Sequence, residues 1–210
     1  MNIEPMDYYV QISEFFEEEK QTELHDIFDA IRFKLNRNSY HLNNIEQIIE
    51  QAKDLERNDY YRDIYIPIYY EIEGFLVSLR SSVDILLHLI NYCYNLRLKP
   101  NDVNLYNVYS HRSLPKGTKN IFDRYTRPYN NPTWNFIYTF RNEIVHEKSI
   151  HQVLPIRIDL FSEGEPLVFF ILEDTDRELK SFFHNCLRFL DNFASQVFQS
   201  IEVSLHKQDR

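Results

Sequence analysis

The chain has 210 residues, of which 43% are hydrophobic, enough to bury a sizeable core within one domain. Its composition argues against a nucleotide-binding α/β enzyme, because only three glycines occur and neither the Walker nor the dinucleotide pattern is present. No basic segment followed by an apolar run opens the chain, and no stretch approaches the roughly 18 apolar residues of a membrane span, so no membrane partner is expected.

Residues 7–36 carry a helical stripe at Leu24, Ile27, Phe28, Ile31 and Leu35, with Glu17 to Glu19 as a solvated acidic face. A polar break at residues 36–39 separates it from a second stripe from Leu42 to Leu55, as two helices or one bent helix. After Pro67 the strongest periodicity, Ile68 to Cys93, predicts a long core helix that ends before Pro100. Residues 98–117 read as a polar connection, followed by a short helix near 118–126. Asn131 as N-cap and Pro132 in the first turn open a helix running to about Lys148. Residues 153–161 and 166–172 read as the two strands of a β-hairpin near 153–173. Thr175 with Glu178 makes a capping box ahead of a last core helix from Leu179 to Leu205. The fold expected is mainly α, an antiparallel helical bundle with an inserted hairpin. One domain covers residues 1–210, with an N-terminal helical extension over about 1–60 and a core over about 66–205.

Cys93 and Cys186 stand far apart in apolar helical patterns and read as buried free thiols, which fits a reducing, cytoplasmic compartment. The net charge of −9 is unevenly placed. Residues 1–60 carry six basic against fourteen acidic side chains, whereas residues 112–148 carry seven against three. A basic segment in an acidic chain suits a phosphate site, although a cation-rich surface loop would give the same count.

That segment contains Arg141, Asn142, Glu143, Ile144, Val145 and His146. An Arg and a His five apart are weak evidence, since chance supplies about half an occurrence in this composition; the adjoining Asn lowers this to a few per cent of one, roughly. Trp134, Ile137, Tyr138, Arg141, Ile144 and Val145 form one stripe at about 100° per residue, so Arg141 interrupts an apolar face. A guanidinium there needs a salt-bridge partner, such as Asp84, or an interface, or a ligand. His146 lies about 140° around the helix from Arg141. A groove between two copies of the helix collects both groups more readily than one copy does, which points to a homodimer.

The Arg-Asn-x-x-x-His pattern near the end of a bundle helix resembles the signature of the HEPN superfamily (higher eukaryotes and prokaryotes nucleotide-binding), and residues 78–91 look like the core helix that precedes it. The resemblance spans residues 66–205 as architecture, with only the hexapeptide specific. It implies a metal-independent ribonuclease of a toxin, phage-defence or RNA-processing system, with a composite site at a homodimer interface and no cofactor. Arg141 and His146 would be catalytic, Asn142 would orient them, and Arg80, Asp84 and Tyr138 would stand behind them. RNA would be the substrate, and a protein antitoxin or regulator a further partner. Lys148 departs from the Tyr often found two positions after the His in nucleotidyltransferase-paired members, so regulation through that Tyr is not carried over.

The residue types agree with such chemistry: imidazole exchanges protons near neutral pH, and guanidinium holds phosphate oxygens while staying charged. Against a zinc site, His146 and His151 are five apart and run past the helix end, not four apart on one face. Arg80, Asp84 and His88 step by four, the spacing of an intrahelical salt bridge beside a satisfied histidine. Tyr60, Tyr61, Tyr69 and Tyr70 suit packing better than base stacking. The competing function is a non-catalytic helical module of the same scaffold that binds a protein or RNA.

Overall fold

A computed structural model describes residues 3–52, 61–127, 130–146, 150–159, 167–172 and 175–208; the side chains of residues 144–146, 151, 153, 172 and 208 also lie outside the description. Its helices are α1 (Pro5–Ser13), α2 (Glu18–Gln51), α3 (Ile66–Cys93), α4 (Leu105–Ser110), α5 (Lys116–Tyr125), α6 (Pro132–His146), α7 (Ile150–Val153) and α8 (Leu179–Gln208). Strands β1 (Ile156–Asp159), β2 (Leu167–Leu172) and β3 (Thr175–Glu178) lie between α7 and α8. Among the described residues no helix is long and apolar enough to cross a membrane.

Of the two arrangements left open across residues 36–39, one helix is observed: α2 runs through the polar stretch. Asn38 is fully buried, and its Nδ2 donates to Ser82 Oγ on α3 at 2.8 Å and to the Lys34 carbonyl at 3.0 Å. A polar residue interrupts a helix only when its side chain competes for local backbone; here a cross-helix partner removes that competition. Leu24, Phe28, Ile31, Leu35, Leu42 and Ile45 form the buried face of the same helix.

α3 is the long core helix expected, and it stops at Cys93 through the conformation of Asn95. Asn95 takes a left-handed φ of 48°, while Leu96 N donates to the Asn91 carbonyl at 3.0 Å and Asn95 N to the Tyr92 carbonyl at 3.1 Å. This is the Schellman arrangement, with asparagine in the position glycine usually fills. The connection read over 98–117 contains a 3-10 turn, Pro100–Asp102, and α4. α4 is capped by Asn104, whose Oδ1 accepts from Asn107 N.

Side-chain pairings fix the directions of the main helices. Asn38 with Ser82 and His41 with Glu71 make α2 and α3 antiparallel. Phe75 stacks on Phe183, and Tyr94 reaches Ser200 and Ser204, so α3 and α8 run parallel, unlike the fully antiparallel bundle expected. The segment from α4 to β3 carries the chain back and allows that parallel pair.

The hairpin is real but incomplete as read: β3 adds a third antiparallel strand in the order β1-β2-β3. β2 alternates as a half-buried strand should, with Val168 and Phe170 buried and Leu167 and Ile171 exposed. The capping box is overturned because Thr175 opens β3, opposite Leu172. Glu178 itself takes the cap position, its carboxylate accepting from Lys180 N at 2.9 Å and Ser181 N at 2.7 Å. The sheet is tied to α3 by Ile156 N, which donates to Tyr69 Oη at 3.2 Å. Burial pushes the Tyr69 phenol up, so it stays a neutral hydroxyl.

Candidate functional site

α6 begins as its sequence requires: Trp134 N donates to Asn131 Oδ1 at 3.1 Å, and Pro132 opens the first turn. Trp134 and Ile137 are buried as the stripe predicts, but Phe136 is buried as well, against Phe170 of β2 and Phe182 of α8. α6 is thus clamped on two sides. The pairs Trp134–Phe189 and Phe136–Phe182 show that it runs antiparallel to α8 and carries its last turns toward the start of that helix.

Arg141 and Asn142 sit half-buried in this last part, and the Arg141 Nη1 donates to Asn142 Oδ1 at 3.1 Å. His146 is the last described residue of α6, and its side chain lies outside the described residues, as do Glu147 and Lys148 and the side chain of His151. Because α6 is uninterrupted from Arg141 to His146, helical geometry sets the two Cα positions about 140° and ~7.5 Å apart along the axis.

The three residues expected behind the motif come together. Arg80 Nη2 pairs with Asp84 Oδ1 at 3.1 Å, so the proposed acceptor for Arg141 serves Arg80. The Arg80 guanidinium also lies over Trp134 at 5.0 Å and over Tyr138 at 5.4 Å from the ring centroids. A flat, weakly hydrated cation gains from an aromatic face in this way, which explains why a side chain only 14% exposed tolerates its charge. Among the described residues Arg80 Nη1 has no hydrogen-bond partner.

Arg80, Trp134 and Tyr138 form one wall of a cavity of about 630 Å³, with Tyr106 and Tyr109 of α4 and Arg127 after α5 on the other. Arg127 Nε donates to Asp123 Oδ1 and its Nη2 to Tyr109 Oη, both at 2.8 Å, and the guanidinium lies over the Tyr109 ring. The Arg127 guanidinium and the Tyr109 hydroxyl hold the Asp123 carboxyl below its usual range. Sequence reasoning missed this cavity because Trp134 and Tyr138 read as a core stripe and Tyr106, Tyr109 and Arg127 as loop. Tyr106 and Tyr138, 77% and 43% exposed, are aromatic rings that the core does not need.

The basic segment does not form one patch around the hexapeptide. Lys116 and Arg124 join Lys207 along a separate groove between α5 and residues 196–207 of α8. α6 meets α8 at Phe182 and Phe189, some fifteen residues or ~20 Å nearer its start. Successive helices that leave in different directions separate charges that are adjacent in sequence.

A second constellation also escaped the sequence reading. His41 Nδ1 meets Glu71 Oε2 at 2.7 Å, Asn44 Nδ2 donates to Glu71 Oε1 at 3.1 Å, and Arg37 Nε donates to His41 Nε2 at 3.3 Å. The Arg37 bond places the ring proton on Nδ1, toward the carboxylate. The sequence signal was Gly74 in mid-helix, where the His41 ring occupies the space of a Cβ. Among the described residues no group of His, Cys, Asp and Glu is arranged to hold a metal ion. Cys93 and Cys186 are buried free thiols, and burial pushes both up.

No family model, curated protein or solved structure matches this chain, so the likeness to HEPN proteins rests on the hexapeptide and the helix that carries it.

Proposed function

We propose that this protein is an endoribonuclease that uses no metal and works at a composite site of a homodimer, in a toxin, phage-defence or RNA-processing role. The observation that carries the reading is the Arg141–Asn142 pair, half-buried and hydrogen-bonded, on a clamped helix that continues to His146. In that reading His146 removes the proton from the RNA 2′-hydroxyl, whose oxygen attacks the adjacent phosphorus. Arg141 bears the negative charge that builds on the phosphorane, and Asn142 holds its guanidinium in place. The bond to the 5′-oxygen breaks as that oxygen takes a proton from an imidazolium, leaving a 2′,3′-cyclic phosphate. The offset between Arg141 and His146 around one helix favours the Arg141 of one protomer acting with the His146 of the other.

Purified protein is expected to cleave RNA in EDTA. Arg141→Ala and His146→Ala should each lower the rate at least about a hundredfold, the usual scale for removing an acid–base or charge-stabilising group, with unchanged thermal unfolding. Undiminished cleavage by both variants would overturn the assignment. The alternative, a scaffold that binds RNA or a protein without cutting, predicts RNA binding with no EDTA-resistant cleavage in the wild type.

A further inference from the structure

The cavity beside α6 has the dimensions of a ligand site, since small-ligand pockets run to about 300–1,000 Å³ with mostly hydrophobic and aromatic linings and a few fixed polar groups. Among the described residues its charged groups are cationic: Arg80 and Arg127 line it, beside the neutral polar side chains of Asn104, Ser110 and Thr126, and no carboxylate does. Guanidinium groups donate hydrogen bonds and accept none. The exposed rings of Tyr106 and Tyr138 stand at its rim with faces on which a planar group can stack. Tyr138 precedes Arg141 and Asn142 by one helical turn, which sets its Cβ about 5–6 Å from theirs.

We infer that this cavity receives one unstacked base of a single-stranded RNA and selects keto bases, guanine and uracil, over the amino bases adenine and cytosine. The inference rests on the proposed RNA substrate and names which RNA that site prefers. The physical reason is the pair of guanidinium groups in the wall. On the edge that a guanidinium can clasp, guanine presents two acceptors, O6 and N7, and uracil presents O4, whereas adenine and cytosine place their exocyclic amino group there, with its donors toward the cation; the N2 amino group of guanine lies away from that edge. Arg80 supplies the largely buried charge, fixed by Asp84 and stacked on Trp134. Arg127, held by Asp123 and Tyr109, closes the other side.

Trp134 is the chain's single tryptophan and lines the cavity, so its fluorescence reports occupancy directly. Short 2′-O-methyl oligonucleotides of U, C, A and mixed G/U sequence, which lack the hydroxyl needed for cleavage, are titrated against the full chain, with calorimetry alongside. The expected result is saturable quenching, with U and G/U oligomers binding about tenfold or more tightly than C or A, the scale of one charge-assisted hydrogen bond. Arg127→Gln, at an exposed position, should erase most of that preference, whereas Tyr106→Ala should weaken binding of all four sequences alike, since every base offers a face to stack; both variants should stay folded at the assay temperature. Equal affinity for all four sequences, or a preference unmoved in Arg127→Gln, would overturn the inference. Keto-selective binding without any RNA cleavage would leave the pocket standing and remove the catalytic reading. Cleavage without base preference would do the reverse.

Discussion

At the scale of single residues, stability here depends on partners that spacing alone does not reveal. Gly74 is in the interior of α3, where glycine costs a helix about 1 kcal/mol relative to alanine. A Cβ there would lie 2.5 Å from His41 Cε1 and 2.9 Å from Nδ1. The ring is not free to retreat, being held by Glu71 and Arg37 and only 13% exposed. Overpacking of this kind costs about 1–3 kcal/mol, which exceeds the gain in helix propensity. Gly74→Ala should therefore destabilise the protein by roughly 1 kcal/mol in urea unfolding. In a His41→Ala background the same change should stabilise it by up to about 1 kcal/mol, because only the propensity term remains. The same sign in both backgrounds would show that His41 is not what requires the glycine. Such pairings were illegible in the sequence because they join residues 30 positions apart on separate helices.

At the scale of elements, periodicity and caps read well wherever apolar spacing was regular. The core of α3, the start of α6 and the body of α8 lie where the stripes of Ile68, Trp134 and Phe183 put them. Polar signals read less well. Around Asn38 they left one helix or two open, and Asn38 is a buried cross-helix link within one, while Thr175 looked like a cap and belongs to a strand. A side chain's partner, not its type, decides whether it ends a helix. The start of α8 gives a direct check, because the carboxylate of Glu178 satisfies two of the first amides there. Glu178→Ala should cost about 0.5–2 kcal/mol, the range for losing an N-cap, whereas Thr175→Ala should stay within about 0.5 kcal/mol. Urea unfolding of the two variants checks this, and a larger loss for Thr175→Ala would restore the capping box.

At the scale of the whole molecule, the hexapeptide was legible as a motif, but its surroundings were not. The cavity walls come from α3, α4, α5 with the two residues after it, and α6, elements that only the fold brings together, while the basic segment that seemed to support the motif is divided between two places. What α6 does retain is continuity from Arg141 to His146, and therefore their angular separation. If each RNA phosphate is met by Arg141 of one protomer and the partner's His146, a symmetric dimer holds two such pairs. A dimer of one Arg141→Ala chain and one His146→Ala chain then loses both groups from one pair and neither from the other. Co-expressed with different tags and purified as the mixed dimer, it should recover about half the wild-type cleavage rate, although each parent homodimer is inactive. A site built within single protomers gives the opposite result, since every copy in the mixed dimer lacks one group. Activity no higher than that of either parent, with the mixed dimer intact in sedimentation, would place both groups in one chain and require the offset to be bridged by movement at the end of α6.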